Sequence, residues 1–182
     1  MGYVRDDLGD ESYFERTSRK SEGFDAGLLR EPLSVIPAQK ALVFKPGDTV
    51  TEAMRAMQRD HRGCVLVTDD GTRESKLLGI FTERDVLFRI VDKGRNPAAL
   101  PIGEVMTPDP ENLSDRATVA YVLNKMSVGG FRHVPVVDDE HRPVCVISVR
   151  DVVSFLVEAF PREVLNLPTE PGQTAPRARE GA

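Results

Sequence analysis

The 182-residue chain has no tryptophan, two cysteines and three histidines, and only 6% of its residues are aromatic. A folded core must therefore be built from aliphatic side chains. No segment reaches the roughly 18 consecutive apolar residues of a membrane-spanning helix. The N-terminus lacks the apolar stretch of a secretory signal, so we expect a cytoplasmic protein without a membrane span. Cys64 and Cys145 have no metal-ligand spacing around them, which predicts two reduced core thiols and no metal site.

Basic residues are also outnumbered: 24 lysines and arginines face 29 acidic residues, for a net charge of −5 at pH 7. This balance argues against general nucleic-acid binding, which needs a surplus of cations facing the phosphates. The excess acid lies mostly in residues 1–32, which also have few apolar residues. We predict a disordered or loosely ordered acidic extension there, and a C-terminal turn with a disordered tail over 161–182.

The middle of the chain is a duplication. The segment that begins at Thr49 aligns with the segment that begins at Thr118, and both read helix, strand, strand, helix after a leading strand. The predicted organisation is a first repeat over 33–92, a linker over 93–101 and a second repeat over 102–160. Thr49 and Thr118 are the expected N-caps of the first helix in each repeat, with side-chain oxygens that accept from the first turn.

Two short apolar strands follow that helix in each repeat: Cys64 to Thr68, Leu77 to Phe81, His133 to Val137 and Val144 to Ile147. The Asp-Asp turns between them predict hairpins. A unit of roughly 60 residues is marginal alone. We therefore expect an α/β (α+β) pseudo-twofold pair, in which each half has a small three-stranded mixed sheet and two helices. Such a pair creates equivalent clefts in which a small molecule can bind.

The motif that points to chemistry occurs twice, as Thr82-x-x-Asp85 and as Ser148-x-x-Asp151, each directly after a predicted strand. A hydroxyl at a helix N-terminus lies where an anion such as phosphate is favoured. A carboxylate one turn later can accept hydrogen bonds from both hydroxyls of a ribose. Either copy alone is also the pattern of a capping box, which only starts a helix. Two copies at the same place favour a binding site.

Together these features resemble a paired cystathionine-β-synthase-type (CBS) domain, also called a Bateman module, here as a stand-alone chain. The resemblance rests on the repeat, on both Thr/Ser-x-x-Asp elements and on the run Arg132-His133-Val134-Pro135-Val136-Val137-Asp138. Met106-Thr107-Pro108 resembles the usual opening of the second unit. The resemblance covers about residues 34–159.

The resemblance implies a regulatory module rather than an enzyme, with no obligatory cofactor and with AMP, ADP, ATP or a related adenosine compound as ligand. Thr82 and Asp85 would serve one site, and Ser148 and Asp151 the other. Further ligand contacts are implied for Thr107 and Ala38 beside the adenine, Arg132 and His133 on the phosphate side, Val134, Pro135, Val65 and Leu66 as apolar walls, and Arg84 and Arg150 near phosphate. These arginines and the histidine also have ordinary structural explanations as helix-surface and strand-end residues.

The first repeat lacks the histidine and proline of the second, and Cys145 stands where the motif prefers the glycine seen at Gly79. One site is therefore expected to be empty or to bind differently. The resemblance also implies a homodimer and an action in trans on a protein target. The alternative is a ligand-free scaffold for dimerisation or protein interaction, in which the two acids only cap helices. No nucleophile with a matching base is recognisable, so an enzyme is the least favoured hypothesis.

Overall fold

The computed structural model describes residues 26–161. Most of the predicted N-terminal extension and nearly all of the predicted tail lie outside the described residues. The described strands are β1 (Gln39–Lys40), β2 (Val43–Phe44), β3 (Cys64–Thr68), β4 (Leu77–Thr82), β5 (Thr107–Pro108), β6 (Leu113–Ser114), β7 (His133–Val137) and β8 (Pro143–Ser148). The helices are α1 (Val50–Arg59), α2, α3 (Val119–Gly129) and α4 (Val149–Ala159). Helix α2 begins as one α-helical turn at Glu83–Asp85 and continues as a π-helix over Val86–Val91.

The strands form two sheets of the same design, in the orders β2-β3-β4-β5 and β6-β7-β8-β1. In each sheet the first pair is parallel and the next two pairs are antiparallel. The predicted hairpins are β3-β4 and β7-β8. The fold class is confirmed, and each three-stranded mixed sheet is extended by a fourth short strand that the sequence did not predict.

The fourth strand of each sheet comes from the other repeat, because the segments that lead into the two repeats are exchanged. The Leu33 N–H donates to the Ala117 carbonyl at 3.0 Å, and the Ile102 N–H donates to the Asp48 carbonyl at 2.8 Å. Residues 32–40 therefore complete the second half of the molecule, whereas residues 100–108 complete the first half.

Mostly aliphatic side chains form three cores. One lies between the first sheet and its helices and includes Val50, Val65, Phe81, Ile90 and Ile102. Its counterpart in the second half includes Leu33, Val119, Val134, Ile147 and Phe155. The third lies between the two sheets and includes Cys64, Leu66, Ile80, Val137 and Val146. The two halves thus share apolar contacts along their facing sheets.

The first helices begin where predicted, but only one uses the predicted side-chain cap. Thr49 accepts from the Glu52 N–H at 3.3 Å, and the Glu52 carboxylate accepts from the Thr49 N–H at 2.8 Å. Thr118 is the N-cap of α3 as predicted, but its side chain makes no capping hydrogen bond, so the predicted acceptor function of its oxygen is wrong. Position 121 is a tyrosine and cannot complete a capping box, and the Val119 N–H is already bonded to the Glu31 carbonyl at 2.9 Å.

The last residues of the predicted extension are described and have structure. Ala26–Arg30 forms a short 3₁₀ helix that contacts α3, and Leu28 and Leu29 pack against the core of the second half. These two leucines attach the end of the predicted extension to the second half. No helix within residues 26–161 has the length and apolar character required to cross a membrane.

Candidate functional site

The two Thr/Ser-x-x-Asp elements form matching capping boxes at the ends of β4 and β8. Asp85 Oδ2 accepts from the Thr82 N–H at 2.8 Å and from its hydroxyl at 2.7 Å. Asp151 Oδ2 accepts from the Ser148 N–H and hydroxyl at the same two distances. Each box uses one carboxylate oxygen for local bonds. The capping function is thus real in both repeats, and it leaves Oδ1 of each aspartate for another partner.

The exchanged segments bring the predicted adenine-side residues to these boxes. Thr107 lies opposite Ile80 on β4, and so belongs with the first box. Ala38 directly precedes β1, which pairs with Cys145 and Val146 on β8. Each candidate site is therefore assembled from the end of one repeat and the leading segment of the other.

His133 lies at the start of β7, opposite Ser148, and its ring reaches the first repeat. A Cβ added at Gly63 would lie 2.7 Å from His133 Nε2, so the imidazole packs directly on that glycine. Burial lowers the pKa of His133, and the nearby carboxylates of Glu83 and Asp151 oppose the shift. The ring is thus held neutral at physiological pH between the two halves.

Both cysteines are poor nucleophiles in this setting. Burial raises the pKa of the Cys64 thiol to about 12, with a further increase from Asp151 across the cleft. Burial likewise raises the pKa of Cys145 to about 11. Neither thiol forms a thiolate at neutral pH. Among residues 26–161, no three His, Cys, Asp or Glu side chains are grouped so that they could hold a metal ion.

The structure adds Arg62 to the residues of the second site. Its Nη2 donates to the Lys40 carbonyl on β1 at 3.1 Å, and its positive charge lowers the pKa of the same Cys64 thiol that Asp151 raises. Arg62 Nε is buried and has no hydrogen-bond partner among residues 26–161. The sequence carried no signal for this placement, because Arg62 follows a turn in the first repeat and acts beside the second.

Arg89 is the corresponding addition at the first site. Its Nε lies 3.1 Å from Asp85 Oδ1, and its Nη2 donates to Thr107 Oγ1 at 2.9 Å. An arginine four residues after an aspartate on a predicted helix was the available signal. The contact with Thr107 depends on the segment exchange and was not recognisable from sequence.

The predicted apolar walls divide between two faces of the sheets. Leu66 belongs to the core between the sheets, and Pro135 is the buried residue at the equivalent place. Val65 and Val134 pack on the opposite faces, within the helix-side cores of their halves. The side chains of Val65 and Val134 therefore do not face the core between the sheets, because neighbouring residues of a strand point to opposite faces. Their predicted contact with a ligand stays a prediction.

The remaining predicted cations lie on the surface. Arg84 and Arg150 are exposed, and the Arg84 guanidinium lies 5.5 Å from the centre of the Phe88 ring. Arg132 is also exposed, although its charge contributes to the lowered pKa of His133. The guanidinium groups of Arg62 and Arg89, by contrast, bond the exchanged segments, at Lys40 and Thr107.

Comparisons with known proteins agree with this architecture. The family model described as "CBS domain" matches residues 34–92 and 102–158. The Arabidopsis thaliana CBS domain-containing protein CBSCBSPB2 is 33% identical over 123 residues, which are 68% of this chain and 22% of the relative. The chain thus spans about a fifth of that protein.

Solved structures show the same fold. A CBS-domain containing protein from Agrobacterium tumefaciens is 29% identical, with a TM-score of 0.56 over 64% of this chain and 89% of that one. A CBS domain protein from Pyrobaculum aerophilum, complexed with AMP, is 22% identical, with a TM-score of 0.62 over 71% of this chain and 98% of that one. The chain belongs to the CBS domain family, and its two repeats are a tandem pair of CBS domains.

Proposed function

We propose that this chain is a regulatory module that binds an adenine nucleotide (AMP, ADP, ATP or a related adenosine compound) between its two halves. In this proposal a capping-box carboxylate recognises the ribose, and the bound state reports energy or metabolite level to a partner protein in trans. Binding would act by favouring one packing of the two halves over another. The proposal is for a sensor, not a catalyst.

The observation that carries the proposal is the geometry of Asp151. Its Oδ2 is fixed by two bonds from Ser148, whereas its Oδ1 accepts no hydrogen bond from any of residues 26–161. A carboxylate held in place with a free oxygen is a prepared acceptor for a ribose hydroxyl. The AMP complex of the Pyrobaculum aerophilum protein, which shares the fold, supports the choice of ligand class.

The test is a thermal-shift panel of the full chain with AMP, ADP, ATP, NADH, S-adenosylmethionine and cyclic di-AMP. A ligand at 100 times its Kd stabilises the folded state by about 2.7 kcal/mol, which is readily measured. We expect at least one adenosine compound to raise the Tm of the wild type. Asp151→Asn should weaken that shift strongly, because the amide replaces one carboxylate oxygen with a donor.

The control is Glu52→Gln in the capping box of α1, which removes the same charge from the same kind of motif away from the cleft. It should lower the Tm of the free protein yet leave the ligand-induced shift intact. If no compound shifts the wild type, the sensor hypothesis fails for these ligands.

A specific observation favours the scaffold as the second candidate. Large apolar side chains are exposed on α2 and α4, with Leu87, Phe88 and Val91 each more than half exposed and Val153 at 52%. Such a patch is typical of an interface. A chain that sediments as a dimer at tens of micromolar but shows no thermal shift with any ligand of the panel would support the scaffold instead of the sensor.

A further inference from the structure

The two candidate sites differ in the state of their aspartates. Asp85 Oδ1 lies 3.1 Å from Arg89 Nε, and the Asp85 side chain is only 11% exposed. Both of its oxygens are therefore occupied, since Oδ2 already accepts from Thr82. Asp151 makes the equivalent bonds with Ser148, but its Oδ1 has no partner among residues 26–161. The carboxylate of Asp85 thus has partners on both oxygens, whereas that of Asp151 has one oxygen available to accept a hydrogen bond.

Arg89 also engages the segment that faces Asp85. Its Nη1 donates to the carbonyls of Val105 and Met106 at 2.7 and 2.6 Å, and its Nη2 donates to Thr107 Oγ1 at 2.9 Å. One guanidinium therefore links the carboxylate to the backbone and hydroxyl beside which an adenosine would lie. Hydrogen bonds from a charged guanidinium to a carboxylate are stronger than neutral ones.

The second repeat has no group of this kind. Arg89 aligns with Phe155, since Arg84 and Asp85 align with Arg150 and Asp151. Phe155 is 8% exposed and belongs to the core of the second half. In the first half that buried place is taken by Ile90, one residue later, because α2 widens into a π-helix over Val86–Val91. The wider turn leaves Arg89 outside the apolar core, where it reaches Asp85.

We infer that Arg89 is a built-in occupant of the first site, so that the module binds one nucleotide per chain, at Ser148 and Asp151. This inference rests on the proposed function. A ribose at the first site would have to displace a guanidinium from Asp85 and leave several of its donors unpaired. A ribose at the second site meets an unoccupied oxygen. The asymmetry makes Arg89 the residue that sets the number of ligands.

The experiment is isothermal titration of the full chain with AMP. We expect one AMP per wild-type chain, a loss of affinity of about tenfold or more in Asp151→Asn, and unchanged binding in Asp85→Asn. Arg89→Phe, which installs the residue of the second repeat, should raise the stoichiometry to two. Arg89→Gln, which removes the charge but keeps an amide donor, is the second variant should Arg89→Phe fold poorly. Adding Asp85→Asn to either variant should return it to one.

The matched control is Arg95→Ala, which removes another arginine of the same half, ion-paired with Glu104 on the surface, and should keep one AMP per chain. Two AMP per wild-type chain would overturn the inference and leave the proposed function standing, as would one AMP that is lost in Asp85→Asn. One AMP per chain in both folded Arg89 variants would also overturn it. An absence of AMP binding in every variant would remove the inference together with the proposed function for this ligand.

Discussion

His133 is the residue through which a single proton can affect the contact of the two halves. Its ring packs on Gly63 of the other repeat, with Glu83 and Asp151 as the nearby acids and Arg132 as the nearby cation. Burial lowers the pKa of His133 in the folded state, so the unfolded chain binds the proton more readily. Stability contributed by the neutral ring is therefore present at high pH and is lost as the pH falls below about 6.5.

We expect His133→Asn to flatten this pH dependence. Urea unfolding at pH 7.5 and pH 5.5 should show a larger loss of unfolding free energy in the wild type than in the variant. His61→Asn is the control, because His61 is exposed and asparagine tolerates its positive φ of 50°. The unfolding free energy of the control should depend on pH as that of the wild type does. If the unfolding free energy fell by the same amount between pH 7.5 and pH 5.5 in the wild type and in His133→Asn, His133 would not be the source of the pH dependence.

For individual residues, the sequence predicted the paired acids Asp85 and Asp151 but not the placement of Arg62 and Arg89. Asp85 and Asp151 carry a local signature, because each bonds a residue three positions earlier. Arg62 and Arg89 act on residues that are distant in the chain, namely Lys40 and Thr107. These contacts form only because the leading segments are exchanged between the halves. The spacing of residues within one segment of sequence does not indicate that exchange.

The two equivalent helices α1 and α3 provide a comparison at the scale of the element. Thr49→Ala removes a side chain that both accepts from Glu52 and donates to it, and should destabilise the protein by about 1 kcal/mol. Thr118→Ala removes no capping bond and should cost clearly less. Urea denaturation of both variants at one pH provides the measurement. A larger loss for Thr118→Ala would show that the α3 cap depends on its side chain after all.

The longer elements were predictable and the shortest were not. Strands β3, β4, β7 and β8 follow apolar runs bounded by turn residues, and their positions agree with the sequence prediction to within one residue. Strands β1 and β5 have two residues each, too short for any period, and β5 contains a proline. Their pairing is decided by where the leading segments pass over the other half.

For the whole molecule, the repeats of the sequence are not the packing units of the structure. The first core is completed by Leu100, Ile102 and Val105, which precede or open the second repeat. The second core is completed by Leu33 and Ile36 from the start of the first. The first packing unit is therefore the continuous stretch 42–108, whereas the second is built from two separated segments. Because the leading segments are exchanged, each half of the molecule contains residues from both repeats. Neither repeat of the sequence therefore contains a complete core.

This arrangement predicts different behaviour for two fragments of equal length. Residues 42–110 contain β2 to β5, α1 and α2, together with the Arg89 contacts to residues 105–107. Residues 26–94 contain the first repeat of the sequence, but lack β5 and the three core residues around it. We expect a cooperative urea transition by circular dichroism for 42–110 and none for 26–94, because a unit of this size tolerates no missing core. Cooperative unfolding of 26–94 alone would show that the sequence repeat is itself a folding unit and does not need the exchanged segment 100–108 to fold.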